Sequence, residues 1–295
     1  MRSVSIAIAA SFTLSLCHAG NLVGIAVDPN SPNPLTPYWG LPYLIDPITG
    51  ATTLITQNFT WYDNNGPGTP RDNHFYLSAG DSPNPNTLFG TSPVNLYKAN
   101  FGTGVVNFWN SGFSAYDLAY DSNRNLLYGS MGDVLVKTSL APCSGPCPPP
   151  TVVGNFGAPI FAMGYVPDEG LYGVDMLTGM LSRIDVDTGA LTAIGPTGIG
   201  FLVNQLSITD IEYDSATGRM IASAGGPEDP RYGPPLGSGK IYLLDRFTGS
   251  ATLLNDHAPN FFSLAEFTPE PASPILVGAA LLALGVRWRF RRNLS

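Results

Sequence analysis

Charge is scarce in this chain of 295 residues: Asp, Glu, Lys and Arg together make up 12% of it. Histidine and cysteine are scarcer still, with three of each. His18 lies in the N-terminal leader described below, which leaves His74, in a polar loop close to Asp72, and His257, directly after Asp256 in another. Neither belongs to a Ser/His/Asp arrangement or to a zinc-ligand spacing, so nucleophilic hydrolysis of the triad type and zinc chemistry have no carrier. Three cysteines cannot build a disulfide scaffold. Basic charge is also short: residues 20–268 hold nine Lys and Arg against 21 Asp and Glu. A domain of that balance repels phosphate backbones, which excludes nucleic acid as a partner. No glycine-rich turn stands between a strand and a helix to cradle phosphate; Gly66-Pro67-Gly68 after Asn64-Asn65 reads as a turn.

What the chain does have is turn chemistry and apolar runs. Its 33 Gly and 27 Pro punctuate segments rich in branched and aromatic residues rather than replacing them. That pattern describes an all-β domain with many turns, not a disordered chain.

The two ends differ from the middle. Residues 1–20 combine Arg2, a short apolar stretch from Val4 to Leu16, and the small residues Ala19 and Gly20. This is a secretory signal pattern, too short for a permanent anchor, with cleavage expected near Ala19. Cys17 follows the bulky Leu16, which disfavours lipoprotein processing there. At the other end, Pro269-Glu270-Pro271 precedes an apolar stretch from Pro274 to Val286 and then a cluster of Arg287, Arg289, Arg291 and Arg292. A helix of about 13 residues covers roughly 20 Å, short of a hydrocarbon core of ~30 Å. The arginines would stay on the cytoplasmic side and Trp288 would sit at the interface.

A Pro-Glu-Pro handle, a short apolar helix and a terminal arginine cluster, in that order, resemble the PEP-CTERM sorting signal. The resemblance covers residues 269–292. It implies recognition of Pro269, Glu270 and Pro271 by an exosortase-type processing enzyme, transient anchoring in the inner membrane, and delivery to the surface or extracellular matrix of a Gram-negative bacterium. A retained tail anchor in the periplasm is the competing arrangement. The chain therefore divides into a signal peptide (1–20), a central domain (21–268) and a sorting tail with a short transmembrane helix (269–295).

The central domain repeats itself. Tyr43–Ile55, Ser182–Ile194 and Tyr242–Leu254 superimpose as strand, Asp-x-x-Thr-Gly turn and strand, and Asn95–Trp109 is a degenerate copy. Asp can bond its own backbone two residues on, and Gly supplies positive φ. A second strand–turn–strand module occurs at Tyr116–Gly129, Ile160–Gly173 and Thr209–Ala222, with a weaker copy at Phe75–Gly90. The two modules together make a four-stranded antiparallel unit. The second strands start near Leu22, Leu88, Leu127, Leu171 and Met220; the later intervals match the ~40–50 residues of a propeller blade. The longer first interval is absorbed by loops at 29–42 and 60–73. The domain opens on a second strand without a first (Asn21 onward) and ends on a first strand without a second (Phe261–Phe267). Pairing them would close the ring and remove its exposed edges. The expected fold is thus a β-propeller of five blades closed by its terminal strands, with a pair of β-sandwiches as the alternative.

The site candidates follow from this architecture. First strands line a propeller's channel, and on them stand Asp117, Asp210 and Glu212, aligned with Tyr76, Ala162 and Ser263 in the other blades. Carboxylate oxygens suit a hard cation, so Asp117 and Asp210 are candidate calcium ligands. Lactonase-type propellers, which this chain is similar to only in general architecture, hold calcium in such a place. The Asp185-Val-Asp-Thr-Gly189 segment lacks the downstream Glu of a calcium-binding loop and reads as a turn. Cys143 and Cys147 bracket Ser-Gly-Pro in a Pro-rich loop, a pattern that suits a local disulfide in an oxidising compartment or two ligands of an incomplete metal site. Tyr38, Trp39, Trp61, Tyr62 and Tyr232 fall in the long loops, where they either pack the loops down or engage an extracellular glycan or protein ligand. Two functions remain in competition: a non-catalytic binding or structural propeller at the cell surface, and a calcium-dependent propeller hydrolase of the lactonase type.

Overall fold

The computed structural model describes residues 22–27, 40–55, 62–63, 87–91, 95–100, 105–111, 113, 115–141, 149–204, 206–225 and 239–266. The signal pattern, Cys143 and Cys147, the Pro-Glu-Pro tail, His74, and the loop aromatics Tyr38, Trp39, Trp61 and Tyr232 lie outside these residues. Among the described residues no helix is long and apolar enough to cross a membrane.

The strands fall into four-stranded sheets, as the repeat requires. Sheet I joins β1 (Leu22–Val27), β2 (Gly40–Ile45) and β3 (Thr52–Leu54) to the last strand, β20 (Phe261–Glu266). Sheet II contains β4 (Tyr62–Asp63), β5 (Thr87–Thr91), β6 (Asn95–Asn100) and β7 (Val105–Ser111). Sheet III runs from β8 (Asp117–Asp121) through β9 (Leu126–Met131) and β10 (Val134–Ser139) to β11 (Thr151–Asn155). Sheet IV comprises β12 (Ile160–Val166), β13 (Gly170–Asp175), β14 (Met180–Ile184) and β15 (Leu191–Pro196). A four-residue helix, α1 (Phe201–Asn204), leads into sheet V, made of β16 (Ser207–Asp214), β17 (Arg219–Gly225), β18 (Gly239–Leu244) and β19 (Ala251–Ala258).

Sheets I, III, IV and V are entirely antiparallel and are the four complete blades of a β-propeller. Sheet II keeps three antiparallel strands, and the two-residue β4 joins its outer edge in parallel with β7, Tyr62 opposite Val105. The segment expected to be its inner strand, starting at Phe75, lies outside the described residues. The stretch at 60–73, expected to be only a loop, thus contributes an edge strand. The terminal closure is present: β1 pairs antiparallel with β20, Leu22 facing Glu266 and Gly24 facing Leu264.

Successive sheets pack through apolar side chains that no single blade could bury alone. Phe89 and Leu96 of sheet II meet Leu118, Leu127 and Val136 of sheet III. Tyr128 and Leu135 of sheet III meet Ile160 and Leu171 of sheet IV, and Val174 and Leu181 meet Ile211 and Met220 of sheet V. Ile221 and Ile241 of sheet V then meet Leu22 and Ile45 of sheet I.

The Asp-x-x-Thr-Gly corners have a second use. The leading carboxylate accepts from the backbone N–H groups two and three residues on, as Asp185 does from Asp187 and Thr188 (both 2.9 Å). The glycine adopts positive φ, 75° at Gly189. Each corner also abuts the outer strand of the preceding blade: Thr188-Gly189 on Gly154, Thr248-Gly249 on Gly195, and Gly50 on Leu254 and Asn255. Asn255 Nδ2 donates to the Gly50 carbonyl at 2.9 Å.

Near the axis the blades approach still more closely. A Cβ on Gly164 of β12 would stand 2.7 Å from the Ile211 carbonyl oxygen of β16. Backbone on both sides leaves nothing soft to yield. Gly164→Val is expected to lower stability by at least ~2 kcal/mol, as overpacking at a rigid contact does. Urea unfolding followed by tyrosine fluorescence checks this; an unchanged midpoint would mean that β12 and β16 are not in contact.

Candidate functional site at the propeller axis

The inner strands β8, β12, β16 and β20 lie side by side in chain order. A common irregularity sets their side chains. The pairing of the inner with the second strand shifts register between Ile160 and Ala162, between Ile208 and Asp210, and at the Ser263–Phe261 step. Each shift is a bulge one residue before the axial position, and bulges re-aim the residues that follow them. Two of the skipped residues find their own contacts. Phe161 stacks on Tyr116 at 4.2 Å between ring centres, and Thr209 Oγ1 donates to the Phe261 carbonyl at 2.8 Å.

The aligned axial residues are Asp117, Ala162, Asp210 and Ser263, and none is exposed to solvent. The two carboxyls act in the same way. Asp117 Oδ2 accepts from Met163 N–H of the next inner strand at 2.5 Å, and its Oδ1 accepts from Leu118 N–H at 2.8 Å. Asp210 Oδ2 accepts from Leu264 N–H of the next inner strand, again at 2.5 Å. Each Asp therefore stitches its own blade to the following one by satisfying a buried N–H that faces no further strand. Between them Gly164 makes the direct backbone contact from β12 to β16.

The aspartates also interact with each other across the blade that carries Ala162, whose methyl group leaves the space open. Burial pushes the Asp117 carboxyl well above the usual carboxylate range. For Asp210 burial acts first and the Asp117 charge second, with Glu212 adding to it. Asp210 Oδ1 is buried without a hydrogen-bond partner, as is Ser130 Oγ, which stands on the residue paired with Asp117. Two apposed carboxylates in such a place retain a proton, because both cannot ionise there. Glu212, 3% exposed, accepts from Tyr213 N–H at 2.9 Å.

The two residues expected as calcium ligands are thus brought together, with Glu212 close enough to act on Asp210. Among the described residues no group of three or more His, Cys, Asp or Glu is placed to hold a metal. Of the four oxygens of the axial aspartates, Asp210 Oδ1 is the one without a hydrogen-bond partner. His257, expected in a loop, lies on the outer strand β19 with its side chain 86% exposed, beside Asp256 at 3.6 Å. It is far too solvated to be a core general base. The axial bulges and the N–H acceptor role left no mark in the linear pattern, because both depend on the neighbouring blade.

No family model and no curated protein matches the chain. Solved structures do. The extracellular domain of BT4673 from B. thetaiotaomicron aligns over 81% of this chain and 28% of that one, at 12% identity and a TM-score of 0.43. Apo AztD from Citrobacter koseri aligns over 83% and 60%, at 12% identity and a TM-score of 0.37. PorZ, a surface component of the type-IX secretion system of Porphyromonas gingivalis, aligns over 77% and 26%, at 10% identity and a TM-score of 0.38. The chain spans less than two thirds of each of these proteins, and the likeness is too distant to transfer a site or an activity.

The carboxyl pair makes stability depend on pH with a definite sign. Its contribution is full below the unfolded carboxylate value of about 3.9 and is lost as pH rises through the raised native value. The turn aspartates Asp185 and Asp245 act oppositely, since N–H donors from Asp187 and Phe247 hold their carboxyls low. The pair is therefore isolated by difference. Asp210→Asn, a neutral isostere with a donor for Asp117, is expected to raise stability at pH 8 by roughly 1–3 kcal/mol and to gain less at pH 4. Denaturant midpoints of variant and parent across pH 4–8 test this; a variant less stable at both ends would show that the pair is not protonated.

Proposed function

We propose that this chain is an exported propeller sorted to the cell surface or extracellular matrix through its Pro269-Glu270-Pro271 tail, where the ring serves as a non-catalytic binding scaffold. The observation that carries the non-catalytic part is the sealing of the axial carboxyls. Asp117 and Asp210 are 0% exposed, and three of their four oxygens accept backbone N–H groups, two of which, from Met163 and Leu264, belong to the following blade. A general acid, base or nucleophile must reach its substrate. These groups serve the ring instead. The export part rests on the leader at 1–20 and on the resemblance of 269–292 to a PEP-CTERM signal, whose partner is an exosortase-type enzyme. The leader and tail flank a ring that closes on itself at β1 and β20, so their removal leaves its strand pairing whole.

One observation favours the second reading, a calcium-dependent hydrolase: the orphaned Asp210 Oδ1 at the axis. Its requirement is a calcium-saturable rise in melting temperature that disappears in Asp210→Asn, together with ester or lactone hydrolysis by the purified protein. The scaffold reading expects neither.

For the sorting part, intact-mass and terminal-peptide spectrometry of protein recovered from its own cells is the direct measurement. The expected termini lie near Asn21 and Pro271. An intact C-terminus ending in Ser295 would assign the chain to the retained-anchor arrangement instead.

A further inference from the structure

The end of the ring that carries the Asp-x-x-Thr-Gly corners also carries the turns between first and second strands. Adjacent blades are fastened there by arginine. Between sheets IV and V, Arg246 sits one residue after the corner aspartate Asp245 and reaches Glu169, in the β12–β13 turn, with Nε and Nη2 at 2.8–3.0 Å. Its Nη1 donates to the Gly218 carbonyl at 3.2 Å, and its guanidinium lies 4.6 Å from the Phe247 ring centre and 5.6 Å from that of Tyr213. Tyr172 donates to the same Glu169 carboxylate at 2.8 Å, and the Arg246 hydrogen bonds hold that carboxyl low. Between sheets V and I, Arg219 Nη1 donates to the Pro47 carbonyl at 3.3 Å.

Between sheets III and IV no such arginine–glutamate clamp stands among the described residues; across this junction Arg124 is attracted to the exposed corner carboxylate of Asp187. The corner there is Asp185-Val186-Asp187-Thr188-Gly189, so Val186 stands where Arg246 stands in sheet V. Across from it Arg124, not a glutamate, accompanies the tyrosine of the second strand, Tyr128. No carboxylate–guanidinium clamp can form from these two, and a groove of about 600 Å³ opens in its place. The size is that of a small-ligand site.

The lining mixes signs. Arg124 and Arg183 present guanidinium donors, Asp185 and Asp187 present carboxylate acceptors, Asn123 presents both, and Tyr165 supplies an aromatic surface. Asn123 Nδ2 donates to the Tyr165 hydroxyl at 3.2 Å. Under this rim Asp121 is buried, its Oδ1 taken by Asn123 and Arg124 N–H groups, its Oδ2 without a hydrogen-bond partner and 3.7 Å from Arg124 Nη1. Asp168 and Glu169 line the groove as well, so its acidic groups outnumber its arginines, which disfavours a polyanion. The arginines disfavour a bare cation. A ligand whose every polar group both donates and accepts, and which carries apolar C–H faces for an aromatic ring, satisfies the whole lining.

We infer that the groove between the β8–β9 turn and the β14–β15 corner is a binding site for a neutral polyhydroxylated ligand, a short segment of hexose glycan. This deepens the scaffold reading and rests on it.

The test uses the purified full chain in a sugar-free zwitterionic detergent, with maltohexaose, an oligogalacturonate and a chitosan oligomer as calorimetric probes. Maltohexaose is expected to bind with Kd of about 1 mM or tighter. Restoring the clamp with Arg124→Glu and Val186→Arg together is expected to weaken it at least tenfold without lowering the melting temperature. Asp187→Ala, a change at an exposed corner, is expected to weaken it severalfold. Absence of maltohexaose binding, indifference to both variants, or tighter binding of the charged oligomers would overturn the proposal. Reducing-end analysis of the same samples separates the two readings. New ends would refute the non-catalytic scaffold while leaving the groove as a site; intact, unbound sugar would refute the groove and leave the scaffold standing.

Discussion

A buried backbone N–H on an inner strand, pointing at the next blade with no strand to pair it, is the constraint around which this ring is arranged. A propeller brings its inner strands close without joining them in a ladder, so their facing polar groups need another answer. Here a side-chain carboxyl supplies it twice, from Asp117 to Met163 and from Asp210 to Leu264. Where no carboxyl stands, between β12 and β16, the strands close directly on one another through the bare backbone at Gly164. The axial arrangement therefore follows from three residue choices: an acid, a glycine, and an alanine that leaves room for the acids to meet.

This answer has a consequence in charge. Acids chosen as N–H acceptors arrive near the axis as a pair, in surroundings that no basic side chain neutralises among the described contacts. Burial pushes both carboxyls upward, toward their protonated forms, and at Asp210 the Asp117 charge adds to it. The groups that look reactive in the sequence are, at the axis, engaged by the architecture. The chemistry open to solvent lies instead at the blade junctions, where corner residues vary while the corner geometry is kept. Arg246 and Glu169 close one junction, and Val186 and Arg124 leave its neighbour open.

Much of the fold was legible because its signals are local. Asp-x-x-Thr-Gly marks a tight corner wherever it occurs, since the carboxylate caps its own turn and only glycine takes the left-handed position without strain. The corner at Asp175–Gly179 makes the point: it has the same chemistry, with Leu177 N–H donating to Asp175 at 2.8 Å, yet it joins second and third strands at the opposite end of its blade. The motif specifies a turn and not its place in the ring. The missing half-blades at the two ends of the domain carried the long-range information, and β1 pairs with β20 as they required. The parallel edge strand at Tyr62 was not legible, because two residues hold no period. Nor was the strand position of His257, whose neighbours Asp256 and Asn255 read as loop chemistry.

The site was legible in identity and not in role. Strand alignment alone placed Asp117 and Asp210 at equivalent points of different blades. It could not say that their oxygens face backbone donors of the following blades, that a bulge precedes the axial position in three blades, or that the two carboxyls act on each other. The sequence by itself determined the blade unit, the corner chemistry and the pairing of the domain's two ends, because each is written in spacing and in φ preferences along one strand pair. Only the tertiary structure decided what the acids do and where a junction stands open. Those are properties of the contact between blades roughly forty or more residues apart in the chain, and no local pattern records which side chain meets which.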